Sequence, residues 1–537
     1  MEQTVIFVAL FCVIVGIGQL FNQLAIPLPL LLVITGMCLS IVPGFESVTI
    51  NPNIVLNIFL PLMVYQISGF ASWKDFKTNI RSITLLSVGH VIFITIIVAM
   101  VINALIPQLG WPLALVIGAI VSPPDDVAIV AIAEKIRMPE RVITILEGEG
   151  MLNDATALTI FRFALAAFLT HQFAPFHAVS AFFLDIVGET MYGILIGYII
   201  GELRLRIKTS PLHVLASLIT PFLAYIPAAW LGGCGIIATV AAGFVIGHIY
   251  ATRFTPGFRL ISRAMWPSIT YGLQSILFLL MGIDMMSIMR RVSIIPLKSL
   301  LIYSSAIILT VIIGRFIWVY CANIYIPRLF SSVRKRDPHI PWQFPFLVSW
   351  AGMRGSISLA AALAVPFLPS FVSGANTRDL LIFLVYSVII ATLLLQGLAL
   401  PWLLKAIGLQ KIAACEQYNE HIAELIAKKK MAKAALHWLT ETKKQIKDNP
   451  NLYEEVKFWM THYKRQKSKF HERIKDHHKN FNHDEEAEIA EDTSLLLALI
   501  EVEKNELMDL WRKEEINMNV RNKLLDQLDH SAKNLKA

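Results

Sequence analysis

Residues 145–162 read ILEGEGMLNDATALTIFR, and the rest of the chain is best read outward from them. The flanks are apolar enough to lie in lipid, yet Glu147, Glu149, Asn153, Asp154 and Arg162 stand inside the stretch. A charged side chain at bilayer depth costs at least roughly 2.5–3.5 kcal/mol, so it is normally paired or functional. Glu147 and Asp154 lie seven residues apart, about two turns, and share a helix face. Glu149 and Asn153 are i, i+4 neighbours, and Asp154 directly follows Asn153. A purely structural charge would need one acid and one partner. Three carboxylates beside a carboxamide point instead to an ion or proton site.

The composition agrees with a membrane setting. Of 537 residues, 55% are hydrophobic and 16% charged, and the mean hydropathy is +0.60. A soluble domain averages about 25% charged residues. The net charge of +8 does not argue for nucleic acid, because Lys and Arg cluster between apolar runs and in the tail, as membrane orientation requires. The five cysteines have neither metal-site spacing nor the density of a disulfide scaffold and read as buried thiols. The first apolar run, Val5 to Leu20, lacks the basic start and cleavage site of a signal peptide and reads as the first span.

Apolar runs able to cross ~30 Å of hydrocarbon recur up to about residue 408. They number about thirteen, with the runs near 220 and 241 divided only by Leu231 to Gly235. Alternate loops carry roughly sixteen basic residues against four, which predicts an outside N-terminus and a cytoplasmic tail. The loop with Arg290, Arg291 and Lys298 departs from this pattern, and the sequence offers no reason.

Two spans are interrupted in matching ways. One contains Ser122-Pro123-Pro124-Asp125-Asp126; the other contains Trp350-Ala351-Gly352-Met353-Arg354-Gly355-Ser356. Irregular backbone at membrane depth survives only inside protein or along a watery cavity. Paired interruptions in corresponding positions of two halves point to a transporter built from inverted repeats. Helix rise puts Asp154 and Arg354 roughly 16 Å, and Asp125 roughly 20 Å, from the starts of their spans, near the midplane. The expected fold is therefore an all-α polytopic membrane protein of about thirteen transmembrane helices, arranged as inverted repeats with two broken, crossing helices. Residues 1–408 form this domain. Residues 409–537, rich in Lys, Glu, His and Gln, form a cytoplasmic helical tail, which serves regulation, dimer contact or neither.

Taken together, SPPDDVA at 122–128, LEGEGMLNDATALTIFR at 146–162, Gly352-Met353-Arg354-Gly355 and the arginine-bearing run 312–320 resemble the monovalent cation/proton antiporters. The resemblance is to the branch with bacterial NhaP proteins and sodium/proton exchangers, and it covers residues 1–408 in order. It implies that Asp154 binds the alkali cation or the proton and that Asn153 is its partner, an Asn-Asp pair being associated with electroneutral exchange. Asp125 matches the acid of the first broken span. Glu149 matches a carboxylate held by an arginine, for which Arg315 and Arg354 are both candidates. Arg315 is preferred for that pair, and Arg354 for compensating helix ends at the crossing. Gln66 ends a segment, Leu60 to Gln66, that usually ends in Glu. Asp126 occupies a position where a small residue or proline is commoner. Gln66, Asp126 and Glu147 are thus expected modulators, and Na⁺ versus K⁺ stays open.

The expected activity is exchange of a monovalent cation (Na⁺ first, K⁺ or Li⁺ as alternatives) for H⁺ across the plasma membrane, serving pH and sodium homeostasis. Deprotonated Asp154, with Asn153, Ser122 and carbonyls freed at the breaks, would hold the cation, and a proton would expel it. No cofactor is expected, and a homodimer is implied by the resemblance alone. A channel or uniporter using the same acids is the alternative. An intramembrane enzyme is disfavoured, since no His/carboxylate metal motif accompanies the acids.

Overall fold

A computed structural model describes residues 2–21, 27–42, 45, 52–125, 140–170, 175–250, 253–325, 342–366, 376–445, 450–477 and 507; among them all regular structure is helical. Among the described residues, seven helices are long and apolar enough to cross a membrane: Phe76–Leu105, Arg141–Thr170, Leu184–Arg206, Ser210–Trp230, Gly257–Val292, Leu297–Ala322 and Thr377–Leu404. Shorter apolar helices accompany them at Val8–Gln19, Leu28–Leu39, Val55–Phe70, Pro107–Val121 and Ile236–Tyr250. The chain is an all-α polytopic membrane protein. Its outward faces carry Leu184, Leu195, Leu301 and Leu309, all exposed, as helices solvated by lipid do. For the same reason Cys12, Cys38 and Cys321 are exposed rather than buried as expected, whereas Cys234 is buried. An apolar run in a membrane has an outer face.

The chain divides into two compact units, Met1–Glu416 and Gln417–Ala537. In the second, the described residues are 417–445 of the helix Leu409–Gln445, the helix Pro450–His477, and Leu507. These two helices are linked where Lys429 Nζ lies 3.0 Å from His471 Nδ1.

Within the first unit, lipid supplies no hydrophobic drive between helices, so small residues set the packing. Gly193, Gly197 and Gly201 stand four residues apart on the helix Pro175–Arg206, and a Cβ on any of them would strike Ala238, Val245 or Tyr250. Gly36 and Gly282 similarly bring the helix Leu28–Leu39 onto Pro256–Val292. Several helices widen into π turns, which free a carbonyl. Trp318 Nε1 donates to Leu85 O at 2.9 Å beside one such turn, and Trp350 Nε1 to Gln396 O at 3.2 Å beside another.

The runs near 220 and 241 are separate helices. Between them Gly232 and Gly235 take φ of +102° and +74°, a region that disfavours side chains. The basic loop that departs from the charge pattern has a structural reason in part. Arg291 Nε pairs with Asp379 Oδ1 at 3.1 Å. On the facing helix, Arg378 donates to Val365 O and Leu363 O at 2.7 and 3.1 Å, satisfying the end of the helix Ser356–Leu363. These arginines serve the fold, and a loop-charge count misreads them.

Candidate functional site

The first interruption begins where the helix Gly110–Val121 meets Ser122-Pro123-Pro124. Two consecutive prolines remove two backbone donors, and residues 122–125 are not helical. The second separates the helices Gln343–Trp350 and Ser356–Leu363 by the unwound residues 351–355. The two interruptions meet. The backbone N–H of Asp125 donates to Met353 O at 2.7 Å, joining residues far apart in sequence. Gly355 packs so closely on the Asp125 carboxylate that a Cβ there would overlap it. Asp125 thereby lies at the start of the helix Ser356–Leu363, where the macrodipole favours negative charge.

Each break also leaves carbonyls at a helix C-terminus, and one buried arginine serves each. Arg354 Nε donates to Val121 O at 2.7 Å, the last carbonyl of the first half-helix. A second nitrogen, Nη1, is bonded to Gly352 O. Arg315 Nε donates to Val348 O at 3.0 Å, near the end of the helix Gln343–Trp350. Cations at helix C-termini offset both the orphan carbonyls and the dipole.

Arg315 also forms a bidentate pair with Glu149, Nη1–Oε1 at 2.6 Å and Nη2–Oε2 at 2.9 Å, with both side chains 1% exposed. Of the two arginines considered for Glu149, the structure pairs it with Arg315. Gly352 makes room for this arrangement, since a Cβ there would lie 2.5 Å from Arg315 Cδ and 3.3 Å from Arg354 Nη1.

The helix Glu140–Thr170 carries Asn153 and Asp154 past the first break. Asn153, fully buried, donates from Nδ2 to Pro124 O at 2.9 Å. Its Oδ1 is buried with no hydrogen-bond partner among the described residues. Asp154 is 6% exposed and, with Asp125, lines a cavity of about 20 Å³. Gly355 and Ser358 border it on one side, and Met63, Val64 and Ile67 on another. A water needs roughly 10–15 Å³, so this space suits one small ion or water.

The other expected residues fall outside this cavity or beside it. Ser122 is buried, and its hydroxyl donates to Ala119 O at 3.0 Å in the last turn of the preceding helix. Gln66 is half-buried on the helix Leu60–Phe70, whose cavity wall is made by Met63, Val64 and Ile67. Glu147 is half-buried, two residues before the ion pair. Asp126 lies outside the described residues. Arg162 caps the turn at Gly232 and Gly233 through their carbonyls.

Sequence reasoning missed Glu189. Its carboxylate is buried and accepts from Gly235 N at 2.9 Å, Ile237 N at 3.1 Å and Ala238 N at 3.3 Å, at the start of the helix Ile236–Val245. An acid inside an apolar run, with a Gly-rich turn elsewhere, was the available signal; the pairing across 46 residues was not visible in sequence.

Comparison with known proteins agrees with this architecture. Residues 6–406 match the family model described as sodium/hydrogen exchanger, transmembrane. An uncharacterized Na(+)/H(+) exchanger of Mycobacterium tuberculosis is 30% identical over 83% of this chain and 82% of its own length. A sodium, potassium, lithium and rubidium/H(+) antiporter of Bacillus pumilus is 29% identical over 78% of this chain and 62% of its own. The solved sodium proton antiporter MjNhaP1 from Methanocaldococcus jannaschii has a similar fold, with a TM-score of 0.58 at 17% identity over 76% of this chain and 100% of that one. Crossed helix breaks, a buried acid at their meeting point and a match across most of the membrane part lead to one assignment: the chain belongs to the sodium/hydrogen exchanger family.

Proposed function

We propose that this protein is a secondary antiporter exchanging a monovalent cation for H⁺ by competition at Asp154. The observation that carries the reading is the meeting of the two helix breaks, Asp125 N to Met353 O, beside the ion-sized cavity that Asp154 lines. Asp154 supplies the exchangeable charge. Asn153 Oδ1 supplies a neutral oxygen that no donor claims among the described residues, and Asp125 a second carboxylate held at a helix start.

Charge around the crossing supports electroneutral exchange. Among the described residues that meet there, Glu149, Asp125 and Asp154 contribute three negative charges against two positive charges from Arg315 and Arg354, a net of −1 for these five when all are ionised. One proton or one alkali cation brings the group to neutrality, and either loaded form crosses without moving a bare charge through lipid. The bare carboxylate resists crossing, which couples the two fluxes.

Na⁺ is the first candidate, with K⁺ or Li⁺ as alternatives; relatives in two Bacillus species are named for all three and rubidium. The finer architecture belongs to the same proposal. Residues 1–408 form a membrane domain of about thirteen spans in inverted repeats, with residues 409–537 as a cytoplasmic tail. The bias of basic loops supports an outside N-terminus and a plasma-membrane orientation. A homodimer follows from the family resemblance.

The test is a proteoliposome assay with a pH-sensitive dye. Wild type moves protons when a cation gradient is imposed, and Asp154→Asn does not. Full exchange in the Asp154→Asn protein refutes the role of that carboxylate, and cation current without proton counterflow replaces the antiporter with a channel.

A further inference from the structure

A second cavity, about 180 Å³, opens where five helices end together. It shares no lining residue with the Asp154 cavity, although the helix Leu60–Phe70 contributes to both. Its volume is more than ten times the roughly 10–15 Å³ that one water needs. Arg204, Arg259 and Arg263 line it, and no carboxylate does among the described residues.

Arg204 is the unusual member. It lies in the last turn of the helix Pro175–Arg206 and is 2% exposed. Among the described residues its contacts are neutral: Nη2 lies 2.9 Å from His213 Nε2, Nη1 lies 3.4 Å from the Tyr65 hydroxyl, and the guanidinium sits 4.7 Å from the Phe254 ring centroid. A guanidinium only donates, so His213 Nε2 accepts and the ring keeps its proton on Nδ1. Arg204 Nε and His213 Nδ1 are then two buried donors with no partner among the described residues. A buried charge is normally paired, and burying it without a counter-ion is costly. Arg259 and Arg263, four residues apart in the first turns of the helix Pro256–Val292, face the same cavity from its more exposed side.

We propose that this cavity binds the phosphate of an anionic ligand, with Arg204 at its floor, backed by His213, and Arg259 and Arg263 at its rim. Guanidinium forks match phosphate oxygens with two parallel hydrogen bonds. The pocket lies at helix ends, and basic pockets between spans take phospholipid phosphates. A phospholipid headgroup and free phosphate share this chemistry.

The experiment uses delipidated full-length protein in neutral detergent, melted with added phosphatidylglycerol, phosphatidylcholine or inorganic phosphate. A saturable rise in melting temperature is expected with phosphatidylglycerol or phosphate. Its apparent affinity falls roughly ten- to a hundredfold in the double variant Arg259→Gln/Arg263→Gln, as losing a charge-assisted hydrogen bond implies. A response to phosphatidylglycerol alone assigns the site to a lipid headgroup; an equal response to phosphate assigns it to a free anion. Arg204→Gln removes a buried group and can disturb folding, so the rim variant decides, and retained exchange in phosphatidylcholine vesicles shows that it is folded. No saturable response, equal stabilisation by phosphatidylcholine, or an unchanged affinity in the rim variant overturns the proposal. Because the readout is binding, failure here leaves the exchange reading intact.

Discussion

Replacing Glu149 by Gln isolates the buried pair that holds three helices at the crossing. Glu149 and Arg315 are each 1% exposed and joined by two bonds of 2.6 and 2.9 Å. Glu149→Gln leaves the guanidinium in the same dry surroundings with the Val348 carbonyl as a remaining acceptor. Breaking a buried pair from one side costs about 3–5 kcal/mol, because the surviving charge is uncompensated. At roughly 2 °C per kcal/mol for a large domain, the melting temperature falls by about 6–10 °C. The double variant Glu149→Gln/Arg315→Met removes both charges and recovers most of this loss, short of about 1 kcal/mol for the missing bond to Val348 O. Fluorescence-detected melting in detergent reads both, compared at one heating rate because unfolding of such proteins is irreversible. A single variant as stable as wild type, or a double variant no better than the single, refutes the reasoning.

Other substitutions test separate parts of the site. Gly355→Ala places a methyl group onto the Asp125 carboxylate; exchange is lost in proteoliposomes while the protein still inserts and purifies. Gln66→Glu leaves the order of Na⁺, K⁺ and Li⁺ as drivers of proton release unchanged, because Met63, Val64 and Ile67 make that wall of the cavity; a changed order brings Gln66 into the ion path. Glu189→Ala orphans the three amides its carboxylate accepts from and lowers thermal stability by about 1–3 kcal/mol, measured by melting.

The parts of the molecule legible in sequence are those whose signal is local. Consecutive prolines at 123 and 124, the glycines flanking Arg354 and the acids between 147 and 154 each violate the rules of a lipid-embedded helix within a few residues. Partnerships across the chain were not legible. Glu149 and Arg315 are 166 residues apart, and nothing near either residue distinguishes Arg315 from Arg354 as the partner. Arg204 shows the opposite failure: counted with the loop charges, it is a buried residue, because its helix ends among four others. Ser122 lies outside the lining of the Asp154 cavity, its hydroxyl proton going to Ala119 O in the preceding turn, a local bond that position in the sequence does not reveal.

Competition between H⁺ and a cation for one carboxylate is tested most directly by titrating purified protein with cation while recording proton release. The account predicts that adding cation frees protons and that apparent cation affinity weakens toward about tenfold per pH unit on the acid side, as linkage at a single shared site requires. Both effects vanish in Asp154→Asn. Cation affinity that does not change with pH, or undiminished proton release from Asp154→Asn, contradicts it.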